Sequence, residues 1–122
     1  MLKPVPNLSE EQAIIDVVNG INYLDKIVNK FNIDINMHLN PTYVAYGTLL
    51  EKEFNKGNYI PPALESVRKA ILAAEGKKVS IYIGLYDEGL AVKGGSFIRK
   101  GDENLIKKLN QFNTTQDFSI IK

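Results

Sequence analysis

The chain has no cysteine and no tryptophan, and only one histidine and two methionines, among 122 residues. Without cysteine there is no disulfide, no thiolate nucleophile and no cysteine-ligated zinc. With a single histidine, only a carboxylate-rich cluster could hold a catalytic metal. No catalytic residue, metal ligand or cofactor is therefore assigned. The opening MLKPVPNLSEEQ lacks the apolar stretch of a secretory leader. No apolar run approaches the ~20 residues of a membrane span. The expectation is a cytoplasmic protein with no membrane partner. GxxxxGK[ST], GxGxxG and GxSxG are missing as well, which removes the usual phosphate-loop, dinucleotide and nucleophile-elbow signatures. Internal repeats and low-complexity tracts are also missing.

What is present is an ordinary globular composition, 44% hydrophobic and 24% charged. A chain of this length buries roughly two-thirds of its unfolded surface, enough for one domain over residues 1–122. The formal net charge is +1. Residues 1–61 carry 5 basic and 7 acidic side chains, and residues 62–122 carry 10 and 7. That basic lean falls well short of a dedicated nucleic-acid module. Asn, Ile and Lys are abundant, as in proteins of low-GC bacteria and their phages.

Ser9 followed by Gln12 forms a capping box, with Leu8 placed to staple onto Ala13. Ile14, Val17, Ile21, Leu24, Val28 and Phe31 then recur in steps of three and four, one stripe of a helix. The stripe suits either the core or a self-association seam with a second copy. IDINMHL, residues 33–39, alternates with period two and reads as a half-buried strand. Pro41 opens a second predicted helix over 41–56, with Tyr43, Tyr46, Leu50 and Phe54 inward. Pro61-Pro62 opens a third, striped by Leu64, Val67, Ile71 and Ala74. VSIYIGLY alternates again, turns at Asp87-Glu88-Gly89, and LAVKGGSFI returns. That pattern predicts a β-hairpin at about 78–99. Asp102 caps a fourth helix, and DFSII reads as a last strand. The order α-β-α-α-β-β-α-β places the chain in the α+β class, with a mainly antiparallel sheet packed by helices.

The hairpin carries the candidate contact surface: Tyr82, Tyr86, Lys93, Gly94, Gly95, Ser96, Arg99 and Lys100. The glycine pair either bulges a strand or presents its N–H groups to an anion. The aromatic and basic side chains could stack bases and follow phosphates. His38 shares the polar face of its strand with Asp34 and Asn36, and Asp34 lies too far along an extended chain to orient it as a base. The expected function is non-enzymatic binding of another macromolecule through protein contacts, as a small regulator, inhibitor or assembly component, phage-encoded by its composition, and as a homo-oligomer. A nucleic-acid-binding protein is the alternative, and a small carboxylate-dependent hydrolase the second.

Overall fold

A computed structural model describes all residues, 1–122. Helix α1 (Glu10–Phe31) starts where its capping box predicts. The Ser9 hydroxyl accepts from the Gln12 N–H, and the Gln12 side chain accepts from the Ser9 N–H. Asn32 ends the helix in the left-handed region at φ 51°, a conformation Asn tolerates better than most residues. The turn sends β1 (Ile35–Leu39) back along α1. Helices α2 (Leu49–Asn55) and α3 (Leu64–Leu72) follow. Then come β2 (Val79–Ile83), α4 (Glu103–Thr115) and a single 3-10 turn, Phe118–Ile120.

The two strands form one parallel sheet, with Met37 beside Ile81 and His38 beside Tyr82. Ile35, Met37 and Leu39 lie on the same face as Val79, Ile81 and Ile83, and α1 and α3 pack together beneath them. Fully burying a Val or Ile side chain is worth about 1.5–3 kcal/mol, so this apolar face anchors the sheet on the helices. Asn36, His38, Ser80 and Tyr82 occupy the opposite face, which no helix covers.

Helices and strands are both present, but the sheet corrects the expected fold. There is no antiparallel hairpin over 78–99; β2 pairs with β1, forty-odd residues upstream. The physical reason lies in the bonds of residues 90–97. Val92 donates to the Val44 carbonyl at 2.8 Å, and Val44 donates to the Gly95 carbonyl at 2.8 Å. An antiparallel bridge joins Ala45 to Ala91. The presumed return strand is thus spent on residues 44–45, away from β2. Those bonds also shorten the second helix. Pro41–Ala45 is non-helical, Tyr46 and Gly47 turn, and the helix begins only after its N-cap Thr48, whose hydroxyl accepts from the Glu51 N–H. The last predicted strand is the 3-10 turn instead. The Asp117 carboxylate accepts from both the N–H and the hydroxyl of Ser119, which favours a tight turn over extension.

The Gly94-Gly95 pair is a turn. Gly95 donates to the Val92 carbonyl across it, and Gly94 has φ 75°, as the third residue of a type II turn requires. A Cβ on Gly95 would stand 2.9 Å from the Val44 Cβ and 3.2 Å from its carbonyl oxygen. No helix is long and apolar enough to cross a membrane.

Candidate functional site: the two edges of the sheet

The predicted surface residues are not gathered into one place by a shared hairpin. Tyr82 is half-buried on the open sheet face, and its ring stacks on His38 with centroids 5.6 Å apart and planes 27° apart. Tyr86, beyond the strand end, is 83% exposed. Lys93 and Gly94 sit at the exposed turn, while Gly95 is buried against Val44. The Ser96 hydroxyl accepts from the Ile98 N–H, the Asp102 carboxylate accepts from the Arg99 N–H, and the Arg99 guanidinium donates to the Pro61 carbonyl. Of the N–H groups expected to face an anion, those of Gly94, Gly95 and Ser96, the Gly95 N–H is engaged by the Val92 carbonyl. Lys100 projects into solvent. Along the stripe of α1, Val17, Ile21 and Val28 are buried in the core, and Ile14 and Leu24 pack against it. Phe31 alone of that stripe is exposed.

The backbone hydrogen bonds of the sheet are completed differently at its two edges. In a parallel pair, alternate residues of each strand bond inward. Gly84 donates to the Leu39 carbonyl, which sets the alternation: even residues of β2 bond to odd residues of β1. The N–H and C=O of Ile81 and Ile83 therefore point away from β1. Two amide side chains at the C-terminal end of α4, Asn113 and the C-cap Gln116, meet them. Gln116 accepts from the Ile81 N–H at 2.9 Å and donates to its carbonyl at 2.7 Å. Asn113 accepts from the Ile83 N–H at 2.8 Å and donates to its carbonyl at 2.9 Å. Three residues apart across the end of the helix, these amides stand in for a neighbouring strand. The β2 edge is closed.

The outer edge of β1 is not. By the same alternation, the N–H and C=O of Asn36 and His38 face outward, and no backbone or side-chain bond reaches them. Past β1 the edge is stopped at Asn40, where Leu2 donates to the Asn40 carbonyl and accepts from the Thr42 N–H. Pro41 fits this extension because it has no N–H to satisfy. At the other end, the Asn32 turn closes the edge. Between them lies an open edge about one strand long.

Beside that edge runs a groove of about 140 Å³, lined by Met1, Asp16, Val17, Gly20, Met37 and Leu39. Gly20 stands in the middle of the 22-residue α1, where glycine costs about 1 kcal/mol relative to alanine. Nothing lies within 4 Å of where its Cβ would be. No contact in the single chain requires glycine there. On the same stripe, at helical spacing, come Tyr23, Ile27 and Phe31.

A second polar centre holds the Leu2 segment in place. The Lys3 ammonium donates to the Ile60 carbonyl at 2.7 Å and lies 3.8 Å from the Glu10 carboxylate. The Tyr59 hydroxyl donates to the Lys3 carbonyl at 2.7 Å, and burial pushes its phenol up to about 12. Lys3 itself holds φ 57°, a left-handed backbone uncommon for a lysine. Two carboxyls lie below the ordinary range, each with a structural cause: hydrogen bonding from Arg68 at Glu65, and from Ser119 at Asp117. No group of three or more His, Asp or Glu side chains is placed to hold a metal ion.

Sequence reasoning missed Asn113, Gln116, Gly20, Lys3 and Tyr59. Only Gly20 carried a visible signal, a glycine interrupting an otherwise helical run. No family model matches the chain, and neither a curated protein nor a solved structure matches it.

Proposed function

We propose that the chain is a non-enzymatic binding protein that takes another polypeptide in extended form along the outer edge of β1. The observation behind this reading is the asymmetry of the sheet. One edge is sealed by Asn113 and Gln116, while the other leaves the peptide groups of Asn36 and His38 unpaired. An added strand gains main-chain hydrogen bonds at such an edge, and alternate side chains enter flanking pockets. Here the pocket side is the groove at Gly20 and Met37, and the other side is the open face with His38 and Tyr82. Protein contact thus remains the functional reading, with the surface moved from residues 79–100 to β1.

The test is selection of displayed random heptapeptides on sparsely immobilised wild-type protein and on Asn36→Pro, which deletes one outward N–H. Retained peptides should alternate apolar and polar residues and should be lost on Asn36→Pro. An absence of binders, or binders indifferent to the substitution, sinks the reading.

A second reading has one observation in its favour. The stacked His38–Tyr82 pair with exposed Tyr86 offers aromatic faces on an uncovered sheet, where single-stranded nucleic acid could stack. A salt-sensitive excess of 260 nm absorbance on the purified protein would favour it. A 260 nm signal unchanged by salt counts against it.

A further inference from the structure

We infer that the natural occupant of the β1 edge is the β1 edge of a second copy, paired antiparallel about a two-fold axis at Met37. This rests on the edge-binding reading above and names its partner. The open stretch is bounded by Leu2 at Asn40 and by the turn at Asn32, so its free length matches β1 itself. Its outward groups, those of Asn36 and His38, lie symmetrically on either side of Met37. A two-fold there sets Asn36 opposite the partner's His38, so each pair exchanges both backbone hydrogen bonds. Met37 then meets the partner's Met37 as a non-hydrogen-bonded pair, the closer of the two kinds of antiparallel pair. The assembly closes at two copies, because Asn113 and Gln116 leave no second edge to extend it.

Three features of α1 fit the same axis. Gly20 lines the groove with Met37 and has open space where its side chain would be. A two-fold at that level brings the two α1 helices past each other where Gly20 leaves room. The helices would run antiparallel, so Asp16 of each copy approaches the Lys26 and Lys30 end of the other. All three side chains are exposed in the single chain. The apolar surface to be covered is also large. Met1 is 71% exposed, Tyr23 65%, Phe31 60% and Ile33 47%. An aromatic side chain buries about 150–250 Å², so these four supply roughly 400 Å² per copy. Two copies reach about 800 Å² before the strands are counted, against the roughly 1,000 Å² expected of a specific interface.

The absence of cysteine makes the test clean. In Met37→Cys, the only thiols of two copies would face each other with Cα atoms about 4.5 Å apart, within disulfide range. Mild oxidation should give a covalent dimer. Asp34→Cys, offset by six residues from its own copy, should give none. Light scattering on the wild-type chain should report twice 13.7 kDa. Gly20→Leu, which fills open space in the single chain, should stay folded and raise the dimer dissociation constant about tenfold or more. A mass of 13.7 kDa at about 100 μM overturns self-pairing. If the heptapeptides still bind and respond to Asn36→Pro, the edge reading survives that loss; if they do not, both fall. A dimer that crosslinks equally at positions 34 and 37, or at neither, or that ignores Gly20→Leu, overturns this geometry.

Discussion

The two edges of one small sheet have been treated in opposite ways. Along β2, every outward peptide group at Ile81 and Ile83 is answered by a side-chain amide from the C-terminal end of α4. Along β1, the equivalent groups at Asn36 and His38 have no partner. Strand edges are templates for further pairing, and folded proteins usually block them. The proposed strand pairing rests on this asymmetry, two amides on one edge and none on the other. The closed edge also explains the missing hairpin. A return strand from residues 90–97 would have to displace Asn113 and Gln116, and its own backbone is already bonded to Val44.

Opening the closed edge should have the largest consequence. Asn113→Ala with Gln116→Gly removes both amides. Glycine suits the φ of 54° at Gln116, so the loss reports the amides and not backbone strain. Each buried peptide group left without a partner costs about 1–3 kcal/mol, and water recovers part of this at a half-buried edge. The expected loss is about 3 kcal/mol in urea unfolding, with concentration-dependent aggregation as a second edge appears. A double variant within about 1 kcal/mol of wild type would show that the amides do not close the edge.

The next effect concerns where the open edge ends. Leu2 stops it at Asn40, and the neighbouring Lys3 is tied to the buried Tyr59 hydroxyl. The Tyr59 phenol titrates near 12 in the fold against an ordinary value of 10, so the neutral form is the one the fold prefers. The stabilisation is complete below pH 10 and lost as pH rises toward 12. The rise from 10 to about 12 sets its ceiling at about 2–3 kcal/mol. Tyr59→Phe should start about 1 kcal/mol lower at neutral pH, from the lost hydrogen bond. Lysines titrate in the same window in both proteins, so the difference between the two curves carries the result. It should shrink or change sign between pH 10 and 12. Parallel curves across that window would remove Tyr59 from the account of alkaline stability.

Much of this was legible in the sequence, and the boundary has a physical cause. The capping box of Ser9 and Gln12 is local, and it is found where spacing placed it. The alternation of Val79, Ile81 and Ile83 is local too, and these three are buried together. Whether β2 pairs with its neighbour or with β1 is not local. LAVKGGSFI has the pattern of a strand, and bonds from Val44 and amides from residues some thirty positions away overrule it. The His38–Tyr82 stack depends on the same parallel register. In sequence Asn113 reads as part of the fourth helix's end and Gln116 as part of the turn that follows it. Their role appears only when β2 is laid beside them. Gly20 was the exception, since a mid-helix glycine is a visible cost with no local gain.

The smallest expected effect on stability falls on the open edge itself. Asn36→Pro removes an N–H that bonds to nothing in the single chain. Proline is tolerated on an edge strand whose N–H faces solvent, so urea unfolding at low protein concentration should move by no more than about 0.5 kcal/mol. The contrast with the amide double variant is the point, because both changes remove hydrogen-bonding capacity from a sheet edge of the same length. Amide exchange on the wild-type chain sharpens it further. In dilute protein the Ile81 and Ile83 amides should exchange slowly, held by Gln116 and Asn113, while those of Asn36 and His38 exchange at rates near those of a free peptide. Raising the protein concentration should slow the second pair and leave the first unchanged, because only the open edge has a partner to gain. If Asn36 and His38 are already protected in dilute solution, the edge is satisfied within one chain, and the asymmetry on which its use depends does not exist.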